Sequence, residues 1–219
     1  MTVTQDAREL MRAAYENRYT WDRNFPGYKA DIAFDWNGTT YTGQVRVNAN
    51  LSTEITGIED ESAKKLIAGQ LQEIAIHRIR RSFDDTHSKN TFDLDETDET
   101  GAVKLLVGGK SSGDYYKICN NEVVLVHRHI HGVVVTINTF SSHQTEGGYL
   151  SHTYDSVYHD PQTGEQKGGK SFFEDQYTKV GDYYILSQRT IRTEGMQADF
   201  QDFAFSNIAL LQPAVATAS

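Results

Sequence analysis

The segment His127-Arg128-His129-Ile130-His131 carries an imidazole at every second position. Alternate residues of a strand share a face, so a strand here projects all three rings to one side. Imidazole binds zinc, copper, iron and nickel, which makes His127, His129 and His131 the candidate metal ligands of the chain. Geometry limits what they can do together. The outer two Cα atoms of such a row lie ~13–14 Å apart, at a rise of ~3.4 Å per residue. Zinc-bound nitrogens must each come within ~2.0–2.1 Å of the ion. At most an adjacent pair binds one ion, with further ligands from another strand, for which His143, His152 and His159 are available. His131-Gly132 is also a turn pair, and a turn there takes His131 off the row. The competing reading is a row of polar, partly exposed histidines on a wet sheet face with no metal, and it is the preferred one.

Three other patterns carry less chemistry. Gly164-Glu-Gln-Lys-Gly-Gly169-Lys170-Ser171 matches the phosphate-loop pattern letter for letter. A phosphate loop must join a buried parallel strand to a helix N-terminus, whose amides cradle the phosphates. Here Pro161–Gly164 already makes a turn, and Ser171 leads into Phe172, Phe173 and Tyr177, which read as a strand. Asp93-x-Asp95-x-Thr97 resembles the start of a calcium loop. Asp98, however, stands where such a loop needs Gly, and Lys104 stands where it needs the bidentate Glu. The single cysteine, Cys119, cannot form an internal disulfide and reads as a small apolar residue at a strand end. No Ser, His and Asp arrangement shows a nucleophile elbow, so no catalytic residue is assigned. The many tyrosines fit cross-strand pairs and pocket walls.

These residues lie in a chain of 219 with 30 acidic and 21 basic side chains, a net charge of −9. That balance argues against non-specific binding to nucleic acid or to an anionic membrane, because phosphate contacts need clustered Lys and Arg. No run approaches the ~20 apolar residues of a membrane span. Residues 1–12 offer no apolar stretch suited to a signal peptide, so a cytoplasmic location is expected.

The elements that must position the candidates are legible from periodicity. Asp6 and Glu9 form a capping box ahead of Leu10, Met11, Ala14 and Tyr15 at helical spacing, which predicts a helix over 7–20. Strands follow over 28–56, with Asn37-Gly38 as the hairpin turn of the first pair. A long helix is expected over 59–83, with acid at its start, Arg at its end, and a stripe of Ile67, Leu71, Ile74 or Ala75, Ile79 and Phe83. The acid-rich stretch 84–100 reads as a solvated loop. From 102 to 211 the chain alternates strands with gaps too short for parallel crossovers, an up-and-down antiparallel meander. Residues 213–219 read as a frayed tail. Gly113-Asp114-Tyr115-Tyr116 recurs as Gly181-Asp182-Tyr183-Tyr184 and is read as repeated turn chemistry. The whole is expected to form a single domain over 1–219.

The order helix, hairpin and third strand, long helix, meander resembles the fold of the periplasmic lipoprotein carriers. The phrase Tyr177-Thr-Lys-Val-Gly-Asp-Tyr-Tyr-Ile185 resembles the penultimate strand-turn-strand of those proteins. The chain as a whole, including Tyr154-Asp-Ser-Val-Tyr-His-Asp-Pro-Gln-Thr-Gly164, resembles a family of unknown function in cyanobacteria and plant plastids. The resemblance implies an α+β fold: a strongly curved antiparallel half-barrel with two main helices on its concave face. It also implies a non-enzymatic binder or carrier of a hydrophobic, lipid- or pigment-like molecule, without a cofactor. The expected ligand wall is Ile32, Phe34, Trp36, Val45, Val47, Ile67 and Leu71. The same residues would equally make a solid core. The rival readings are a metal-dependent enzyme using His127 and His129, and a scaffold that binds a protein partner.

Overall fold

The computed structural model describes residues 6–195 and 199–212; the expected tail over 213–219 lies outside them. Twelve strands form one open antiparallel sheet. They are β1 (Gly27–Trp36), β2 (Thr39–Asn48), β3 (Thr53–Thr56), β4 (Asn90–Thr97), β5 (Val103–Gly109) and β6 (Tyr115–Cys119). There follow β7 (Glu122–Ile130), β8 (Val133–Thr145), β9 (Gly148–His159), β10 (Gln166–Val180), β11 (Tyr183–Thr193) and β12 (Asp199–Leu210). The order across the sheet is β3-β2-β1-β12-β11-β10-β9-β8-β7-β6-β5-β4. Every strand from β4 to β12 thus lies beside its sequence neighbours, as a meander requires. Tight turn pairs account for the β1–β2, β6–β7 and β7–β8 neighbours. Asn37-Gly38, Asn120-Asn121 and His131-Gly132 all have positive φ at both residues, the geometry that matches the twist of flanking strands.

The described residues group into two compact units, with boundaries inside β10 and β11. One holds 6–19, 81–173 and 192–195; the other holds 20–80, 174–191 and 199–212.

In the first unit, helix α1 (Ala7–Glu16) starts where the Asp6 carboxylate accepts from the amides of Arg8 (2.8 Å) and Glu9 (3.3 Å). Only that half of the expected capping box is seen in these bonds, since the Glu9 carboxylate pairs with Arg12 at 3.4 Å. The helix stops short of the expected residue 20. Tyr19 N–H donates to the Tyr149 carbonyl and Tyr149 N–H to the Asn17 carbonyl, both at 2.9 Å, so this backbone is committed to a bridge. Gly148 permits that approach: a Cβ there would sit 2.1 Å from the Asn17 oxygen. The buried face of α1, Ala7, Met11, Ala14 and Tyr15, packs on Phe83, Phe92, Leu105, Val107, Tyr116 and Ile118.

The expected helix over 59–83 is two helices. In the second unit, α2 (Glu61–Arg78) is capped by Asp60, whose side chain accepts from the Ala63 amide at 2.8 Å. It ends where Ile79 turns extended and Trp21 N–H takes the Arg78 carbonyl at 2.7 Å. In the first unit, Ser82 caps a separate short helix, α3 (Phe83–His87), through the Asp85 amide at 3.1 Å. Phe83 therefore belongs to the α1 core and not to the α2 stripe, which is Ala63, Ile67, Leu71, Ile74 and Ala75.

The expected acidic loop over 84–100 is α3 followed by edge strand β4. Phe92 faces inward opposite Val107, while Asp93, Asp95 and Glu96 are exposed. A row of carboxylates on an edge strand discourages pairing with another sheet, which is a physical reason for acid there. Asp98, standing where a calcium loop needs Gly, has its carboxylate fully engaged. One of its oxygens accepts from Thr100 N (3.0 Å), Thr100 Oγ1 (2.6 Å) and Ala102 N (3.2 Å), and the other pairs with Lys117 at 2.6 Å. Lys117 and these donors hold the Asp98 carboxyl well below the usual range.

The phosphate-loop letters have structural roles. Residues 161–163 turn around the Asp160 carboxylate, which accepts from Gln162 N at 2.8 Å and Thr163 N at 3.2 Å. Lys170 pairs with buried Asp155, and Ser171 bonds Thr193 at 2.9 Å.

Candidate binding cavity

Three segments of the first unit converge on a polar cavity of about 500 Å³. The first is the end of α3 and the start of β4, giving Asp85, Thr86, Ser88, Lys89 and Asn90. The second is the turn between β5 and β6, giving Lys110, Ser111, Ser112 and Asp114. The third is β7, giving Arg128 and His129. The β5–β6 turn is held by its own backbone, with Ser112 N on the Gly109 carbonyl (3.3 Å) and Asp114 N on the Ser111 carbonyl (3.1 Å). It is tied to the first segment by Lys110 N on the Lys89 carbonyl at 3.0 Å.

Asp114 is the hub of the site. It is only 4% exposed, and its Oδ1 accepts from His129 N at 2.8 Å and faces His129 Nδ1 at 3.0 Å. The carboxylate fixes the ring by calling for hydrogen on Nδ1, which leaves Nε2 as the second functional atom. Its Oδ2 lies 3.7 Å from Arg128 Nε, beyond hydrogen-bond reach. That buried Nε–H has no hydrogen-bond partner among the described residues.

Beside the cavity, His87 is buried among Tyr15, Phe83, Phe92 and Tyr116. Burial, reinforced by the positive charges of Arg128, Arg18 and Arg8, pushes its pKa down to about 4. The ring is therefore neutral near pH 7, and Nδ1 accepts from the Asn90 side-chain amide at 3.1 Å.

The sequence candidates fall in different places. His127 bonds Thr136 Oγ1 through Nδ1 at 2.8 Å and stacks on Tyr115 at 4.3 Å. Burial and the neighbouring His129 lower its pKa. His129 points its Nδ1 at Asp114, and its ring centroid lies 5.9 Å from that of His127. His131 sits in the turn with φ of +49°, off the row. No group of three His, Cys, Asp or Glu able to hold a metal ion occurs among the described residues.

The expected ligand wall lies in the second unit. Ile32, Phe34, Val45, Val47, Ile67 and Leu71 are each no more than 2% exposed. Phe34 stacks on Phe203 at 4.4 Å. Trp36 is half-buried, and its indole N–H donates to Asp199 at 2.9 Å. A buried polar network reaches α2 in the same unit. Arg189 grips Asp175 with Nε (2.8 Å) and Nη2 (2.7 Å) and donates to Gln70 on α2 at 2.8 Å. Arg78 donates to Tyr177, which donates to Asp175 at 3.2 Å.

Asp114, Lys89 and Lys110 were not marked as functional by spacing. The repeat Gly113-Asp114-Tyr115-Tyr116 drew the eye to Asp114, but the expected local turn role is wrong, since its carboxylate serves His129 on a neighbouring strand.

The model for "Protein of unknown function (DUF3386)" matches residues 2–211. The chain belongs to the DUF3386 family. No curated protein matches it in sequence. Among solved structures it is similar to a LolA superfamily protein, NE2245, from Nitrosomonas europaea. The identity is 9%, 95% of each chain is covered, and the TM-score is 0.39. It is also similar to a putative outer membrane lipoprotein-sorting protein domain from Vibrio parahaemolyticus. There the identity is 9%, the coverage 96% of this chain and 94% of that one, and the TM-score 0.32. A third similarity is to the MucA/MucB complex of Pseudomonas aeruginosa, at 10% identity, covering 96% of this chain and 99% of that one, with a TM-score of 0.25.

Proposed function

We propose that this DUF3386 member is a non-enzymatic binding protein whose ligand occupies the cavity formed by α3, the β5–β6 turn and β7. The observation that carries the reading is convergence. A volume of about 500 Å³ is lined by polar side chains from three separate segments, held by the Lys110–Lys89 and Asp114–His129 bonds. Small-molecule sites span ~300–1,000 Å³ and fix orientation with a few placed polar groups. A lining dominated by Lys, Ser, Asp, Arg and His calls for a polar ligand. The test is a thermal-shift panel of metabolites on the wild type and on Ser112→Trp, which fills the cavity from an exposed turn position. Compounds that raise the wild-type melting temperature should lose that effect in the variant, because a ligand of the folded state stabilises by mass action. Equal shifts in both proteins would refute the cavity as the site.

A hydrophobic carrier is the second reading. What supports it is the apolar interior of the second unit, where Ile67 and Leu71 on α2 and Ile32, Phe34, Val45 and Val47 on β1 and β2 are all buried. These side chains are already covered, so an apolar ligand must displace them. A fatty acid that stabilises the wild type and Ser112→Trp alike would favour this reading.

A further inference from the structure

We infer that the cavity ligand bears a phosphate-like oxyanion, held by Lys89, Lys110 and Arg128. This rests on the reading of the cavity as the binding site. Three observations point the same way. Arg128 lines the cavity with a side chain that is 43% exposed, and its guanidinium is only loosely paired, with the Asp114 carboxylate oxygen 3.7 Å from Nε. A loosely paired guanidinium calls for an anionic acceptor, and an oxyanion entering the cavity brings one. Lys89 and Lys110 line the same cavity on backbone joined by a hydrogen bond, and neither has an ion-pair partner among the described residues. The acids that line the space are Asp85 and Asp114, and Asp114 has its Oδ1 taken up by His129.

Three cationic side chains against two acidic ones make this a basic spot on a chain of net charge −9. That sign disfavours a cationic ligand. A carboxylate offers two oxygens, whereas a terminal phosphate offers three to the cations and to the hydroxyls of Ser88, Ser111 and Ser112. The number of donors lining the space therefore suits a phosphate better. His129, whose Nδ1 is held by Asp114, lines the same cavity.

Isothermal titration at low salt, with inorganic phosphate, acetate and ethylammonium as probes, tests the assignment. Phosphate should bind saturably and more tightly than acetate, and ethylammonium should not bind. Lys89→Gln with Lys110→Gln removes two exposed charges and should weaken phosphate roughly two- to thirtyfold. Arg128→Lys keeps the charge but loses the guanidinium geometry, and should weaken it about tenfold or more. Circular dichroism checks that each variant is folded; the lysine pair is exposed, so its test stands even if Arg128→Lys unfolds. No saturable phosphate binding, or binding that the lysine pair leaves unchanged, overturns the assignment. The Ser112→Trp panel separates the two levels. A neutral or cationic compound whose binding is lost in Ser112→Trp would keep the cavity as the site and remove the oxyanion. If no compound loses binding in that variant, both readings fall.

Discussion

Lowering the pH from 7.5 to 4.5 should destabilise the first unit through His87. The side chain is 4% exposed, its Nδ1 accepts from Asn90 at 3.1 Å, and its pKa is held down to about 4 by burial and by Arg128, Arg18 and Arg8. The unfolded chain titrates near the ordinary ~6.5. Between those values the unfolded state binds a proton that the folded state refuses, so stability rises with pH and is lost as pH falls from about 6.5 towards about 4. Above pH 6.5 the term vanishes because the ring is neutral in both states. At ~1.4 kcal/mol per unit the loss across the window is roughly 2–3 kcal/mol. His87→Gln retains an acceptor for Asn90 and removes the titration. Urea unfolding of both proteins at pH 7.5, 6.5, 5.5 and 4.5, in a buffer without phosphate, measures the difference. The wild type should lose roughly 2–3 kcal/mol more than the variant over that range. His127, also lowered, acts with the same sign but cancels in the comparison. Parallel pH profiles within ~0.5 kcal/mol, or an NMR pKa for His87 at or above ~6.5, would refute a buried neutral imidazole.

In the second unit, Leu71→Ala should cost ~2–5 kcal/mol in denaturant unfolding; a loss below ~0.5 kcal/mol would place α2 outside the core. Asp175→Asn should cost ~3–5 kcal/mol because it removes the buried carboxylate that Arg189 grips through Nε and Nη2, and adding Arg189→Met should recover part of that loss; no recovery would show that the two side chains do not act as a pair. Metal analysis of protein purified without an affinity tag should find no stoichiometric zinc, copper, iron or nickel. One ion per chain, lost in His127→Ala with His129→Ala, would favour the metal-dependent enzyme.

The strands were legible because their turns are spelled out. Asn37-Gly38, Asn120-Asn121 and His131-Gly132 each supply the two positive-φ residues of a tight hairpin and so mark the pairings β1–β2, β6–β7 and β7–β8, whereas the pairing of β1 with β12 has no such local signal. Helix ends were less legible. Ile79 continues the apolar period of α2, yet its backbone pairs with Trp21, a residue far away in sequence. Strand β4 was hidden because its outward positions are acidic and Phe92 is its one well-buried large residue. The cavity was hidden for a different reason. Its lining comes from three short stretches near residues 85–90, 110–114 and 128–129, and each taken alone has the polarity of an ordinary loop or strand end. The histidine row pointed to β7, but to metal chemistry. The partner that gives His129 its role, Asp114, lies fifteen residues away in sequence.

Amide chemical-shift mapping of the ¹⁵N-labelled chain tests the central claim most directly. Titration with inorganic phosphate should move the amides of Ser88, Lys89, Lys110, Ser111, Ser112 and His129, in a saturable manner, and leave Ile67, Leu71, Ile32 and Phe34 still. A parallel titration with oleate should leave the cavity amides unmoved. Phosphate shifts scattered over the surface without saturation, or saturable oleate shifts centred on Ile67, Leu71 and Phe34, would contradict the account.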